Sequence, residues 1–318
     1  RPTMTIQLGF HIGQQNITLA DLRALWRRLD QNGADWISLW DHFYEAPPAG
    51  GTQDHFEAVS LLGALAADTQ NARVGCLVFY VGYRNPALLA KMASSLDHIA
   101  NGRFELGLGA GWHAQEAAAY GFEFPSIGTR LDMLDEAAEI ISSLLNKPRT
   151  TFHGSHFSVE NASNLPRPLN PKLPIWIGGL GPKKTLRIVA QRATGWNAAY
   201  VSPEQFGHLN QTLNQWCERL DRNPTEIERS VNLSFHLGLT SADLKAEHAR
   251  IDADWGPQAA RIRAGSLVCT PSQAIDKILA YHQQGASLIN IALRAPWRED
   301  ALERYINEVM PAVRAAVG

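Results

Sequence analysis

An aspartate and a histidine stand side by side at the end of a short apolar run, WISLWDH (36–42). Histidine titrates near neutral pH, and a carboxylate beside it can fix its orientation, so Asp41 and His42 together could take or deliver a proton. The same dipeptide recurs at Asp54-His55 and Asp97-His98. Asp97-His98 falls inside a helical pattern and Asp54-His55 just ahead of one, which leaves Asp41-His42 as the pair at a strand end. Its competing reading is a loop or helix cap. His113 is a second candidate proton donor, weighed against plain solvent exposure.

A second kind of chemistry is suggested by FELGLGAGWH (104–113), where Gly107, Gly109 and Gly111 occupy every second position. Glycine packs nothing in a strand and costs backbone entropy, so something must need the backbone close by. Bare backbone N–H groups entering a helix make an anion site, because unpaired donors and the helix dipole point at one spot. Gly109, Ala110 and Gly111 could form one such loop and Gly178-Gly179 another, converging on a phosphate. Relief of crowding inside the fold is the rival explanation. No nucleophile elbow, Walker loop or spaced metal ligands appear. Proton carriers and a phosphate cradle, without a strong nucleophile or electrophile, imply that a bound phosphorylated cofactor carries the difficult chemistry.

These residues must be held by elements that bring strand ends together. Strand-like runs at 6–12, 36–40, 73–81, 104–108, 175–179, 196–201, 231–239 and 288–293 alternate with helix-like runs. Leu19, Leu22, Leu25 and Leu29 share a face, as do Leu89, Met92, Leu96 and Ile99, and Phe206, Leu209, Leu213, Trp216 and Leu220. Leu131, Leu134, Ala138, Ile141 and Leu145 mark a longer amphipathic helix. Asn85-Pro86, Ser202-Pro203 and Thr270-Pro271 read as helix starts, with Gln205 and Gln273 placed to complete capping boxes. Eight βα units predict an α/β fold, a closed parallel (β/α)8 barrel, over an open doubly wound sheet. Its catalytic end lies where the strands finish. Two insertions interrupt the pattern: a hairpin-like segment with a proline-rich tail (147–173) after the fourth helix, and extra helix (241–265) after the seventh strand. The whole chain, 1–318, reads as one domain.

Composition narrows the function. With 29 basic and 31 acidic residues and no like-charge run, the chain offers no nucleic-acid surface and no polybasic membrane patch. Apolar stretches are far shorter than the ~20 residues of a membrane span. The start has no signal-peptide layout, and Met4 reads as a natural start after a short leader. Three cysteines without a CxxC pair argue against a disulfide framework or a metal site and suit a cytoplasmic protein.

LWDHF (39–43), the long run from Tyr83 to Pro125, Arg130 with LDMLDEAAEII (131–141), IWIGG (175–179) and ATGWNA (193–198) together resemble the bacterial luciferase-like superfamily. Within it they resemble the group using the deazaflavin coenzyme F420. The resemblance implies that the loops at 109–111 and 178–179 hold the coenzyme phosphate and that Asp41 and His42 lie beside its ring. It also implies a bulge in the third strand, often a non-proline cis peptide, mapping onto Cys76-Leu77 with Val78 and backing the ring. The sugar-phosphate dehydrogenase branch carries a glutamate where this chain has Trp112, which argues against a sugar-phosphate substrate. Trp112 is expected to wall the pocket. The implied function is F420-dependent hydride transfer to or from a small organic substrate. The alternatives are an FMN-dependent monooxygenase using reduced flavin and oxygen, and a non-catalytic cofactor-binding barrel. A homodimer burying more than ~1,200 Å² is expected.

Overall fold

The computed structural model describes residues 5–47 and 50–318, so Met4 lies outside the described residues. In chain order the strands are β1 (Gln7–Ile12), β2 (Trp36–Leu39), β3 (Arg73–Tyr80), β4 (Phe104–Gly109), β5 (Thr150–His153), β6 (Ser158–Ala162), β7 (Ile175–Gly178), β8 (Gly195–Ala199), β9 (Glu228–Phe235), β10 (Ser266–Leu267) and β11 (Leu288–Leu293). Eight of them, β1, β2, β3, β4, β7, β8, β9 and β11, pair in parallel with their neighbours. The ring closes where β8 meets β9 and β11 meets β1. The expected barrel is therefore present. Strands buried on both faces explain why they read as continuous apolar runs.

The helices follow the expected alternation, beginning with α1 (Leu19–Gln31), α2 (Ala58–Asp68) and α3 (Pro86–Ile99). Leu22, Leu25 and Leu29 of α1 are buried, but Leu19 in its first turn is exposed. Ile99, the last residue of α3, and Leu220, just past the helix at Pro203–Arg219, are exposed as well. Asn85, Ser202 and Thr270 each cap a helix with their side chains. The reciprocal box forms at Thr270 with Gln273, while at Ser202 only the serine half is made.

Both insertions appear where the sequence places them. β5 and β6 form an antiparallel hairpin, and residues 241–264 add helix between β9 and the helix at Pro271–Gln283. The lower interior of the barrel is filled by Trp36 and Trp176, edge to face with ring centres 5.4 Å apart. Gly9 and Gly195 give them room: a Cβ would stand 2.6 Å from Trp36 Cβ at Gly9 and 2.3 Å from the Trp176 ring at Gly195. Among the described residues no helix is long and apolar enough to cross a membrane. The three cysteines are free.

Candidate functional site at the barrel mouth

β2 delivers Asp41 and His42 to the C-terminal end of the barrel, and the two part company there. Asp41 is buried and held by a bidentate pair with Arg84 (2.7 and 3.0 Å), which follows β3. Burial pushes its carboxyl pKa up against the pull of Arg84. It makes no hydrogen bond to His42, so the sequence expectation that Asp41 orients this imidazole is corrected. Glu116 does so: His42 Nδ1 lies 2.7 Å from Glu116 Oε1.

Glu116 is almost fully buried and accepts from Tyr83 Oη (2.9 Å) and from the backbone N–H of Phe43 (2.9 Å) and Tyr44 (3.2 Å). Burial alone would raise its pKa, but these donors and His42 outweigh it and hold the carboxyl below its ordinary range. An ionised carboxylate can only accept, so His42 carries its hydrogen on Nδ1. That leaves Nε2 as the nitrogen free for a substrate. This carboxylate comes from the first turn of the short helix α4 (Ala114–Ala119), four residues after Trp112. In the sequence, Glu116 shows only a capping-type position, and nothing local marks it as the partner of His42.

His113 is buried, not solvent-exposed. Its Nδ1 caps α4 by accepting from Glu116 N at 3.5 Å, which places its hydrogen on Nε2. That Nε2 is buried without a partner, and burial, opposed by the charge of Glu116, lowers the imidazole pKa. Trp112 stacks on His113 at 4.8 Å between ring centres and meets His42 edge-on at 5.0 Å. It is 54% exposed at the rim.

The glycine run has a structural cause that the sequence left open. β3 and β4 stay in register to Cys76 and Leu106, then shift by one residue before Phe79 and Leu108. Inside that bulge the peptide between Leu77 and Val78 is cis, one bond beyond the position the resemblance implied. A Cβ on Gly107 would stand 2.1 Å from the Cys76 carbonyl oxygen, one on Gly109 2.4 Å from Val78, and one on Gly178 3.0 Å from Val78. Crowding against the bulge therefore accounts for these three glycines. Gly111 turns with a φ of 73° against the Tyr80 ring.

The two glycine loops do emerge side by side, because β4 and β7 pair as Leu108 with Ile177. They differ in what they leave open. The loop through Ala110 ends at a helix already capped by His113. The loop from Gly178 and Gly179 leads to α6 (Thr185–Arg192), whose N-terminus has no side-chain cap. Lys184, at that end, reaches across to the Gly128 carbonyl (3.0 Å) at the start of α5 (Ile127–Asn146). One turn along α5 lies Arg130. Its side chain is only 7% exposed, its guanidinium packs 3.8 Å from the centre of the Phe124 ring, and Nε and Nη1 are buried without a partner. The Tyr80 hydroxyl, near the same ring, is likewise unpartnered. Among the described residues Arg130 has no carboxylate partner.

Across the mouth stands a third set of polar groups. Glu247 on α8 (Ser241–Trp255) lies 2.7 Å from His236 Nδ1, His236 Nε2 lies 3.1 Å from Ser234 Oγ, and Arg294 Nη1 donates to that oxygen at 3.2 Å. His11, also at the mouth, sits 2.8 Å from Ser38 Oγ with its pKa lowered to about 3 by burial and then by the charge of Arg294. Among the described residues no cluster of three or more histidine, cysteine or acidic side chains could hold a metal.

The family model for luciferase-like monooxygenases matches residues 4–288. The chain belongs to this family. Within the family's neighbourhood, the chain is 26% identical to an F420-dependent glucose-6-phosphate dehydrogenase of Microbacterium testaceum (strain StLB037), over 98% of each chain. Its fold is similar to an F420-dependent secondary alcohol dehydrogenase in complex with an F420-acetone adduct (TM-score 0.86, 19% identity, 98% of this chain and 99% of that one). It is also similar to a riboflavin lyase with modified FMN and substrate riboflavin (TM-score 0.78, 14% identity, 98% and 92%). The barrel fold thus recurs in proteins described with deazaflavin and with flavin.

Proposed function

We propose that this luciferase-like protein is an F420-dependent oxidoreductase acting on a small alcohol or carbonyl compound. The observation that carries the reading is the His42–Glu116 pair at the mouth, together with a buried guanidinium, Arg130, that has no anion of its own among the described residues. A cation taken out of water without a partner is costly, so Arg130 fits a site meant to receive a phosphate. The uncapped start of α6 beside Gly178 and Gly179 fits the same group, and the relatives named above use phosphorylated coenzymes of this type. Gly109 to Gly111 and the Cys76, Leu77 and Val78 bulge would line it, with Trp112 at the rim. When bound, the coenzyme supplies or accepts the hydride. Asp41, held by Arg84, keeps the floor of the mouth rigid.

His42 moves the proton. With Nδ1–H donating to Glu116, its Nε2 lone pair accepts the hydroxyl proton of an alcohol as the carbinol carbon is oxidised. The protonated imidazole returns that proton to oxygen in the reverse direction. His113 keeps its proton on Nε2 and is placed as a neutral donor beside it, not as a base. The chain works as one domain and as a cytoplasmic homodimer, which light scattering at micromolar concentration checks by giving twice the chain mass.

The test compares His42→Ala with His113→Ala. His42→Ala is expected to slow turnover by ~10² to 10⁴-fold, the usual contribution of general acid–base catalysis, with coenzyme affinity changed far less. Turnover lost in His113→Ala but kept in His42→Ala would reverse the assignment. Titration of the parent with F420 and with FMN, followed by absorbance, distinguishes the deazaflavin from the flavin. Binding of FMN alone would overturn the F420 reading.

A further inference from the structure

Arg294 follows β11 and stands between three aromatic rings: its guanidinium carbon lies 5.5 Å from the centre of Trp40, 5.1 Å from Tyr200 and 5.3 Å from Trp255. It donates through Nη2 to Tyr200 Oη (2.6 Å) and through Nη1 to Ser234 Oγ (3.2 Å). Nε is buried and has no partner, and among the described residues no carboxylate pairs with it. Ser234 is in turn fixed by His236, and His236 by Glu247. So a cation is stiffly mounted, its mount is braced by a buried chain of hydrogen bonds, and its own charge is left uncompensated. Aromatic faces offset only part of the cost of drying a guanidinium.

The surroundings show where that charge is directed. Arg294 lines a cavity of about 430 Å³ at the mouth together with Arg250, Glu45 and Asp254. Of the two carboxylates, Asp254 lies 3.7 Å from Arg250, and Glu45 has one oxygen engaged by Thr52 N and Oγ1 at 3.1 Å each, the other being buried. Neither reaches Arg294. The cavity borders the β2 loop three residues beyond His42, and its outer wall comes from the inserted helix α8, which also supplies Glu247 and Trp255.

We propose that this cavity receives the substrate and that Arg294 reads an anionic oxygen group on it, a carboxylate or a phosphate, while the carbinol end faces His42. The substrate class is an alcohol or carbonyl compound bearing such a group. Ser234, His236 and Glu247 are positioning residues that hold Arg294. This rests on the F420 reading for the reaction, but the anion site itself does not depend on it. Each Nη retains a second N–H, so the guanidinium can donate to two oxygens at once, a geometry that favours carboxylate and phosphate over neutral groups.

The test has two arms. Isothermal titration with inorganic phosphate and with acetate, without coenzyme, measures anion binding in the parent, Arg294→Lys and Arg294→Met. Saturable binding is expected in the parent, weakened about 10- to 100-fold in Arg294→Met, the loss of a charged hydrogen bond, and partly kept in Arg294→Lys. Phosphate stronger than acetate points to a phosphate ester, the reverse to a carboxylic acid. With F420, turnover is then compared for matched pairs, 3-hydroxybutyrate against 2-butanol and glucose 6-phosphate against glucose. The charged member of one pair should lead by about 10- to 100-fold in kcat/KM, and Arg294→Met should erase that lead, lowering the charged member far more than the neutral one. Neutral members preferred by the parent, or equal losses on both members in a variant with unchanged melting, would overturn the proposal. Anion binding that is lost in Arg294→Met, in a parent that never turns over with F420, would sink the coenzyme reading and spare the anion site.

Discussion

The two ends of the barrel treat charge in opposite ways. At the N-terminal end, Arg73 bonds to Glu105 (3.1 and 3.2 Å), to Glu228 (3.0 and 2.9 Å) and to Gln7, while Trp176 Nε1 donates to Glu105 at 2.8 Å. Burial raises the pKa of Glu105 against the pull of Arg73. Trp36 Nε1 is unpartnered there, but its ring lies under the Arg73 guanidinium at 5.4 Å. Every ion of this cluster has a counter-ion. At the C-terminal end, Arg130 and Arg294 have none among the described residues, and His113 and Tyr80 carry buried polar atoms without partners. The ions of the lower end compensate one another, whereas the upper end keeps buried donors without protein partners among the described residues. Unsatisfied buried groups cost stability and persist where function needs them.

Breaking one partner at the lower end should have the largest effect. Arg73→Met leaves Glu105 buried with no cation and is expected to cost about 3–5 kcal/mol in denaturant unfolding, with turnover per folded molecule kept. A loss below about 1 kcal/mol would mean that the lower cluster is as tolerant as a surface pair. The matching change at the upper end, Arg130→Gln, should do the reverse. Stability holds or rises as a buried unpaired charge disappears, and coenzyme affinity drops by about 10- to 100-fold, the loss of a charged hydrogen bond. Titration with F420 and with the same deazaflavin lacking its phosphate checks this. Equal losses for both ligands would remove Arg130 from the phosphate site.

The smallest expected effect is on acid stability, and it also belongs to the upper end. His11 is depressed to about 3 and His55 to about 4, each mainly by burial, and His55 Nε2 accepts from Trp40 Nε1 at 2.9 Å. Both stay neutral in the fold while the unfolded chain takes up protons near 6.5. Their stability is present above that value and is lost as pH falls toward 4 and then 3. At pH 5 each should cost roughly 2 kcal/mol. Melting of His11→Asn and His55→Asn between pH 7 and pH 5 should show a shallower fall than the parent. An unchanged slope would place the acid sensitivity elsewhere.

By itself, the sequence determined the barrel, both insertions and which loops leave the strand ends. Apolar alternation, proline-marked helix starts and glycine punctuation are local signals, and a parallel strand buried on both faces must read as an apolar run. It also put His42 at a strand end and flagged the glycine loops. Only the tertiary structure decided which groups meet. Glu116 is separated from His42 by 74 residues, Glu247 lies on an inserted helix, and Asp41 turns to Arg84 although His42 is its neighbour in the chain. The glycine spacing suited a phosphate cradle and a crowded strand equally well, and only the packing of Val78 and the Cys76 carbonyl against β4 and β7 gave the crowding reading its weight. Partners distant in sequence are chosen by which strand ends the closed barrel brings together, and no local pattern of residues encodes that proximity.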